Sequence, residues 1–128
     1  MDLQERINLG IKFLDDVKPG WAGEIDTDEL DMENPHACVL GQLYRREADE
    51  DYPDAPFSGY TIGGYRLHDW LVKNGIYTDE EIGAAQELAG FERLGVYEDI
   101  QSNDTYAVMQ DFWHGEIVGR QIAASARV

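Results

Sequence analysis

Apolar residues recur every three or four positions in the first and the last segment of this 128-residue chain. This spacing places them on one face of a helix, whereas a strand facing a core on one side would show alternation. We therefore predict one helix from the N-terminus to about Val17 and another from about Asp104 to Ala124. The apolar stripes consist of Leu3, Ile7, Ile11 and Leu14 in the first helix, and of Tyr106, Met109, Trp113 and Ile117 in the last.

The stretch NPHACVLGQLY at residues 34–44 predicts a central packing helix. Asn34 is a favourable N-cap, and Pro35 fits the first helical position because the N–H that it lacks would have no helical acceptor there. We expect this helix to run from His36 to about Arg46. The prolines, glycines and charged residues that follow predict a long loop at about 46–64.

Two more helices are predicted in the second half of the chain. The first ends at the C-cap Asn74-Gly75, and the second begins at a capping box of Thr78 and Glu81 and ends near Gly90. Together with the other three, these segments predict an all-α fold. We expect one domain over residues 1–128, built as an irregular or orthogonal bundle of about five helices.

The charge of the chain restricts its partners. Twenty-six acidic and ten basic residues give a net charge of −16 and a pI near 4.2, which opposes direct binding to nucleic acid or to an anionic membrane. The N-terminal segment lacks the basic and apolar regions of a signal peptide, and no apolar run approaches the roughly 20 residues of a membrane helix. We therefore expect a cytoplasmic protein without membrane contact.

Much of the negative charge lies in one part of the sequence. Eleven acidic residues and two basic ones fall between Glu24 and Asp54, which gives −9 of the total −16. Such a run either keeps the protein in solution or binds a basic surface on a partner protein. The candidate partner-binding carboxylates are Glu24, Asp26, Asp28, Glu29, Asp31, Glu33, Asp49, Glu50, Asp51 and Asp54. Aromatic side chains in the predicted loop, namely Tyr52, Phe57 and Tyr60, are candidate anchors because aromatic residues are enriched in interface cores.

The metal-binding candidates do not form a plausible site. His36 and Cys38 are two positions apart, so in a helix their side chains would point in very different directions. Calcium loops require a glycine at their sixth position, where registers starting at Asp26 and Asp49 have aspartates instead. We predict neither a metal nor a cofactor, and we expect Cys38 to be a small buried residue.

Five short motifs in order resemble a known group of proteins. They are FLDDVKPGW, IDTDELDM, CVLGQLY, AGF and YAVMQDFWHGEIVGRQI, and their pattern is similar to that of small proteins from actinobacteria and from the phages that infect them. The resemblance implies a phage or prophage source, and therefore a host cytoplasm as the location. It brings no assigned reaction.

These observations favour a non-enzymatic accessory protein that binds a host protein with a basic surface. In a more specific version, the acidic face imitates the phosphate backbone of DNA and inhibits a host nuclease, regulator or defence protein. The alternative is a small hydrolase-like enzyme in which His68 or His114 acts with a nearby carboxylate such as Asp69 or Asp111.

Overall fold

A computed structural model describes residues 3–51, 59–76, 82–91 and 106–125. These residues form helices and turns and contain no strand, which confirms the predicted all-α class. The predicted capping box of Thr78 and Glu81 lies outside the described residues. The elements are α1 (Leu3–Val17), a short 3₁₀ helix (Trp21–Glu24), α2 (Val39–Asp51), α3 (Gly59–Lys73), α4 (Ile82–Leu88) and α5 (Tyr106–Ser125).

The two ends of α2 differ from the sequence prediction. The side chain of Asn34 does cap a turn, because its Oδ1 accepts a hydrogen bond from the His36 N–H at 2.9 Å. This turn ends before the α-helix begins at Val39, so the predicted start at His36 is wrong. The helix then continues to Asp51, five residues beyond the predicted end at Arg46.

The predicted loop at about 46–64 is therefore too long at both ends, because α3 already begins at Gly59. The glycines of this segment allow two helices to pack closely. An ideal Cβ on Gly59 would lie 2.3 Å from the carbonyl oxygen of Gly41 in α2, and one on Gly63 would lie 2.8 Å from Cδ2 of Tyr44. A Cβ on Gly41 itself would lie 2.5 Å from the carbonyl oxygen of Pro35, so the glycine at this position makes room for the turn before α2, while Gly59 lets α3 approach the Gly41 carbonyl.

A second close contact joins α1 to the end of α4. An ideal Cβ on Gly10 would lie 2.3 Å from the carbonyl oxygen of Ala89, and one on Gly90 would lie 2.7 Å from Cγ1 of Ile7. Gly90 has a φ of +78° and ends α4 near the predicted position. Gly75, with a φ of +69°, ends α3 in the same way and confirms the predicted C-cap.

Aromatic side chains connect these helices in the core. Phe91 stacks on Trp113 with ring centroids 5.0 Å apart, and Trp113 meets the edge of Trp21 at 6.0 Å. Trp21, the first residue of the 3₁₀ helix, is 1% exposed. Phe13 contacts both Phe91 and Trp70. The core therefore contains all three tryptophans of the chain.

Each indole N–H has a defined acceptor. Trp21 donates to Oδ1 of Asp15 at 2.9 Å, and Trp70 donates to Oδ2 of Asp16 at 2.7 Å. Trp113 donates to the carbonyl oxygen of Gly90 at 2.8 Å. Two consecutive aspartates near the end of α1 thus fix two tryptophans from different parts of the chain.

Candidate protein-binding surface

The first half of the predicted acidic face is a turn segment, residues 24–33, that connects the 3₁₀ helix to the turn before α2. We call this segment the acidic turn. Its three apolar residues, Ile25, Leu30 and Met32, are buried. Its carboxylates are all exposed, namely Glu24, Asp26, Asp28, Glu29, Asp31 and Glu33. The segment therefore turns its apolar residues inward and its charges outward.

Two aspartates also shape the turn. Oδ1 of Asp26 accepts hydrogen bonds from the N–H groups of Asp28, at 2.9 Å, and Glu29, at 3.4 Å. Oδ1 of Asp31 accepts one from the N–H of Glu33 at 3.0 Å. Such bonds from a side chain to the following backbone stabilise tight turns. The sequence predicts that Asp26, Asp28 and Asp31 cap or turn the chain, and the structure confirms this for Asp26 and Asp31.

Glutamine side chains attach the acidic turn to two helices. Gln42 of α2 accepts a hydrogen bond from the Asp26 N–H at 2.8 Å and donates to the Asp26 carbonyl at 3.1 Å. Gln110 of α5 accepts from the Met32 N–H at 2.8 Å and donates to the Leu30 carbonyl at 2.5 Å. The backbone under the carboxylates is thus fixed at both ends of the turn.

The second half of the acidic face lies in the last part of α2. Asp49 and Glu50 are exposed there, and Glu50 accepts a hydrogen bond from Arg46 at 2.8 Å. In the middle of α2, Arg45 pairs with Glu29 of the acidic turn at 2.6 Å. The remaining candidates, namely the side chain of Asp51 and all of Tyr52, Asp54 and Phe57, lie outside the described part of the chain.

Tyr60 belongs to the first turn of α3, so its predicted position in a loop is wrong. Its ring is half-buried against the core. Its backbone N–H donates to the carbonyl of Pro35 at 3.2 Å, and its carbonyl accepts from Nε2 of Gln86 at 2.9 Å. Tyr60 therefore joins α3 to the turn before α2 and to α4, and its contact with a partner stays a prediction.

The histidine and cysteine candidates occupy separate places. His36 is exposed, whereas Cys38 is buried directly before α2, where its Sγ lies 3.2 Å from the Gly41 N–H. His68 lies on α3, with Nδ1 4.0 Å from Asp69 Oδ1, and His114 is exposed on α5. Among the described residues, no three histidine, cysteine or acidic side chains come together as metal ligands could. A catalytic role for His68 or His114 stays an untested alternative.

Sequence reasoning missed a cleft of about 630 Å³ between the ends of α1 and α3 and the middle of α2. Its volume is within the range of ligand pockets, roughly 300–1,000 Å³. Three of the ten basic residues of the chain line it, namely Lys18, Arg66 and Lys73. The seven-residue spacing of Arg66 and Lys73 could have indicated a shared helix face, but no local pattern connects either of them to Lys18.

The charges of this cleft have structural roles. Lys18 lies over the ring of Tyr44 at 4.7 Å, and Arg66 forms an ion pair with Glu47. Lys73 lies in the last turn of α3, where a cation stabilises the helix dipole. Burial, together with the nearby Glu47, raises the pKa of Tyr44 to about 12 against an opposing effect of Arg66. Tyr44 is therefore a neutral part of the core at physiological pH.

None of the helices in the described residues is both long and apolar enough to cross a membrane. The sequence matches no protein-family model, and comparison with curated proteins and with solved structures finds no similar chain. The function of the protein is therefore inferred from its surface alone.

Proposed function

We propose that this chain is a non-enzymatic accessory protein that binds a host protein with a basic surface. The observation that carries the proposal is the acidic turn: its exposed carboxylates stand on a backbone that Gln42 and Gln110 hold against α2 and α5. A backbone fixed before binding loses less conformational entropy when the complex forms. The pattern that resembles actinobacterial and phage proteins supports a host factor as the partner.

Charge supports a basic partner. The chain carries −16, and residues 24–51 contain ten acidic residues against two basic ones, Arg45 and Arg46. Complementary charge accelerates association and excludes partners of the same sign. In the more specific version of the proposal, the carboxylates imitate the phosphates of DNA, and the bound host protein is one that normally binds DNA.

The proposal is tested with carboxylates that have no role in forming the turn. Glu24→Gln, Asp28→Asn and Glu33→Gln, combined in one variant, remove three charges and retain the caps of Asp26 and Asp31. Immobilised wild-type protein is expected to capture a basic protein from an actinobacterial lysate, and the triple variant is expected to lose it. Asp69→Asn, an exposed carboxylate on α3, is the matched single-charge control and should retain the partner.

Salt provides the second measurement. If the acidic turn replaces DNA phosphates, affinity for the captured protein should fall by about tenfold or more between roughly 50 and 200 mM salt. Circular dichroism of the triple variant should match that of wild type, so that lost capture is not lost folding. The proposal would be contradicted if the triple variant still captured the protein and if the affinity did not change with salt.

A further inference from the structure

The outward face of α5 carries a second stripe of apolar and small residues. The core-facing stripe of this helix, Met109, Trp113 and Ile117, is fully buried. At about 100° per residue, the other stripe lies on nearly the opposite side. We call it the outer stripe of α5, and it consists of Val108, Phe112, Gly115, Gly119 and Ile122, which follow one another at steps of four, three, four and three residues.

This stripe is exposed. Phe112 is 38% and Ile122 is 64% accessible to solvent. Among the described residues, an ideal Cβ on Gly115 or Gly119 would have no neighbour within 4 Å. Steps of alternating four and three residues are the spacing with which one helix contacts another along its length.

The two glycines distinguish this stripe from an ordinary solvent-facing surface. Glycine in the interior of an exposed helix costs roughly 0.5–1 kcal/mol relative to alanine, so two of them in one stripe point to a packing or functional reason. Packing within the chain explains Gly10, Gly59 and Gly63, where a Cβ would meet another part of the fold at 2.8 Å or less. Packing against the described residues does not explain Gly115 and Gly119. A small-residue notch next to Phe112 would instead let a second backbone approach α5 closely.

Charge indicates which kind of helix this face accepts. By the same helical spacing, Asp111 borders the outer stripe on one side and Glu116 on the other. Asp111 is exposed, and Glu116 is half-exposed while it pairs with Arg120 at 2.9 Å. A second copy of the chain would place two chains of −16 side by side. A helix with basic residues beside its apolar face is complementary instead.

We propose that the outer stripe of α5 docks a basic amphipathic helix of the partner protein. The apolar side chains of that helix would pack on Phe112 and Ile122, and its backbone would approach Gly115 and Gly119. Lysine or arginine residues beside its apolar face would meet Asp111 and Glu116. The inference rests on the proposed function for the basic character of the partner, and it adds the recognition element and its place on the molecule.

Two synthetic peptides of identical leucine, lysine and alanine composition test the docking site. In one, the leucines follow steps of four and three residues; in the other, they are spread around the helix. Fluorescence anisotropy at about 150 mM salt, where long-range charge effects are screened, should show at least about tenfold tighter binding of the amphipathic peptide to wild-type protein. Equal affinity for the two peptides, or binding of neither, would overturn the proposal.

Variants connect this binding to the stripe. Gly115→Ala combined with Gly119→Ala should lower the affinity for the amphipathic peptide by about fivefold. It should also raise the Tm by about 3 °C, because alanine is the better helix former. A merely structural role would not give both changes. Gly23→Ala is the matched control, since its Cβ also meets nothing within 4 Å, and it should leave binding unchanged. Phe112→Ser should weaken the amphipathic peptide by about tenfold.

The test separates the two proposals. The triple variant of the acidic turn should lower the affinity for both peptides equally, whereas the glycine variant should lower the affinity for the amphipathic peptide only. If the glycine variant binds the amphipathic peptide as tightly as wild type does, the docking site is overturned and the acidic turn is unaffected. If the triple variant still captures the host protein, the role of the acidic turn is overturned and the docking site is unaffected. Sedimentation velocity should show a monomer. A dimer that Phe112→Ser converts to a monomer would mean that a second copy covers the stripe and would overturn the proposal.

Discussion

Helical glycines serve two different purposes in this molecule. In α1 and α3, Gly10, Gly59 and Gly63 lie where helices meet, and a Cβ there would come within 2.3 to 2.8 Å of backbone or ring atoms. In α5, Gly115 and Gly119 face outward, and a Cβ would meet none of the described residues within 4 Å. The fold explains the first group. The described part of the chain does not explain the second, and this difference is the reason why we propose an external contact at the outer stripe of α5.

The largest effect is expected at the crossing of α1 with the end of α4. A Cβ on Gly10 would lie 2.3 Å from the carbonyl oxygen of Ala89 and 3.1 Å from the ring of Phe91. Because backbone cannot yield as a flexible side chain does, Gly10→Ala should lower the free energy of unfolding by about 3 kcal/mol. Urea titration measures this, with Gly23→Ala as a control that should change little. A Gly10→Ala variant as stable as wild type would remove the packing explanation.

A pH titration tests how closely α2 and α3 pack at Gly63. Tyr44 lies at this crossing, and burial raises its pKa from 10.0 to about 12. A group whose folded-state pKa is raised contributes stability that is complete below the unfolded value and is lost as the pH rises through the folded value. Stability should therefore fall by about 2 kcal/mol between pH 10 and 12 because of Tyr44 alone.

The chain has six other tyrosines, so the measurement is a difference between two proteins. In urea titrations made at several pH values, wild type should lose about 2 kcal/mol of unfolding free energy relative to Tyr44→Phe between pH 10 and 12. If the difference between the two proteins stays constant from pH 9 to 12, Tyr44 is hydrated and the crossing is looser than described.

A smaller effect is expected where α5 faces the acidic turn. Gln110→Ala removes hydrogen bonds to the Met32 N–H and the Leu30 carbonyl, which belong to buried residues. It should lower the free energy of unfolding by about 1 to 2 kcal/mol. Gln4, whose side chain bonds only Asn8 on the surface of α1, provides the control, and Gln4→Ala should cost less than about 0.5 kcal/mol. Equal costs would mean that the acidic turn is not anchored to α5.

The sequence was sufficient for the fold class and for the elements with local signals. The apolar stripes of α1 and α5 and the C-caps at Gly75 and Gly90 depend on residues close together in the chain. Prediction failed for the segment around Gly59 to Gly64 because its structure depends on a contact with a distant part of the chain. Glycine usually breaks a helix, and the contact with Gly41 that makes it useful here is formed only after the chain has folded.

The candidate site follows the same division. The acidic turn could be recognised from charge alone, and Asp26 and Asp31 are local turn formers. The glutamines that hold it, Gln42 and Gln110, could not be recognised. They are separated from the backbone that they bind by 16 and by about 80 positions. The outer stripe of α5 is visible in the sequence only as scattered apolar residues and glycines. Burial of the other stripe shows that it faces outward.

The smallest effect is expected at Gly119, and a comparison of Gly119 with Gly59 gives the most direct test of the difference between the two groups of glycines. Gly59→Ala places a Cβ 2.3 Å from the carbonyl oxygen of Gly41, whereas Gly119→Ala places one in open space. In parallel urea titrations, Gly59→Ala should lose about 3 kcal/mol of unfolding free energy, and Gly119→Ala should gain about 0.5 to 1 kcal/mol. Opposite signs would support the assignment of the outer stripe to an external contact. A loss at Gly119 as well would show that this glycine is needed within the chain, and would contradict that assignment.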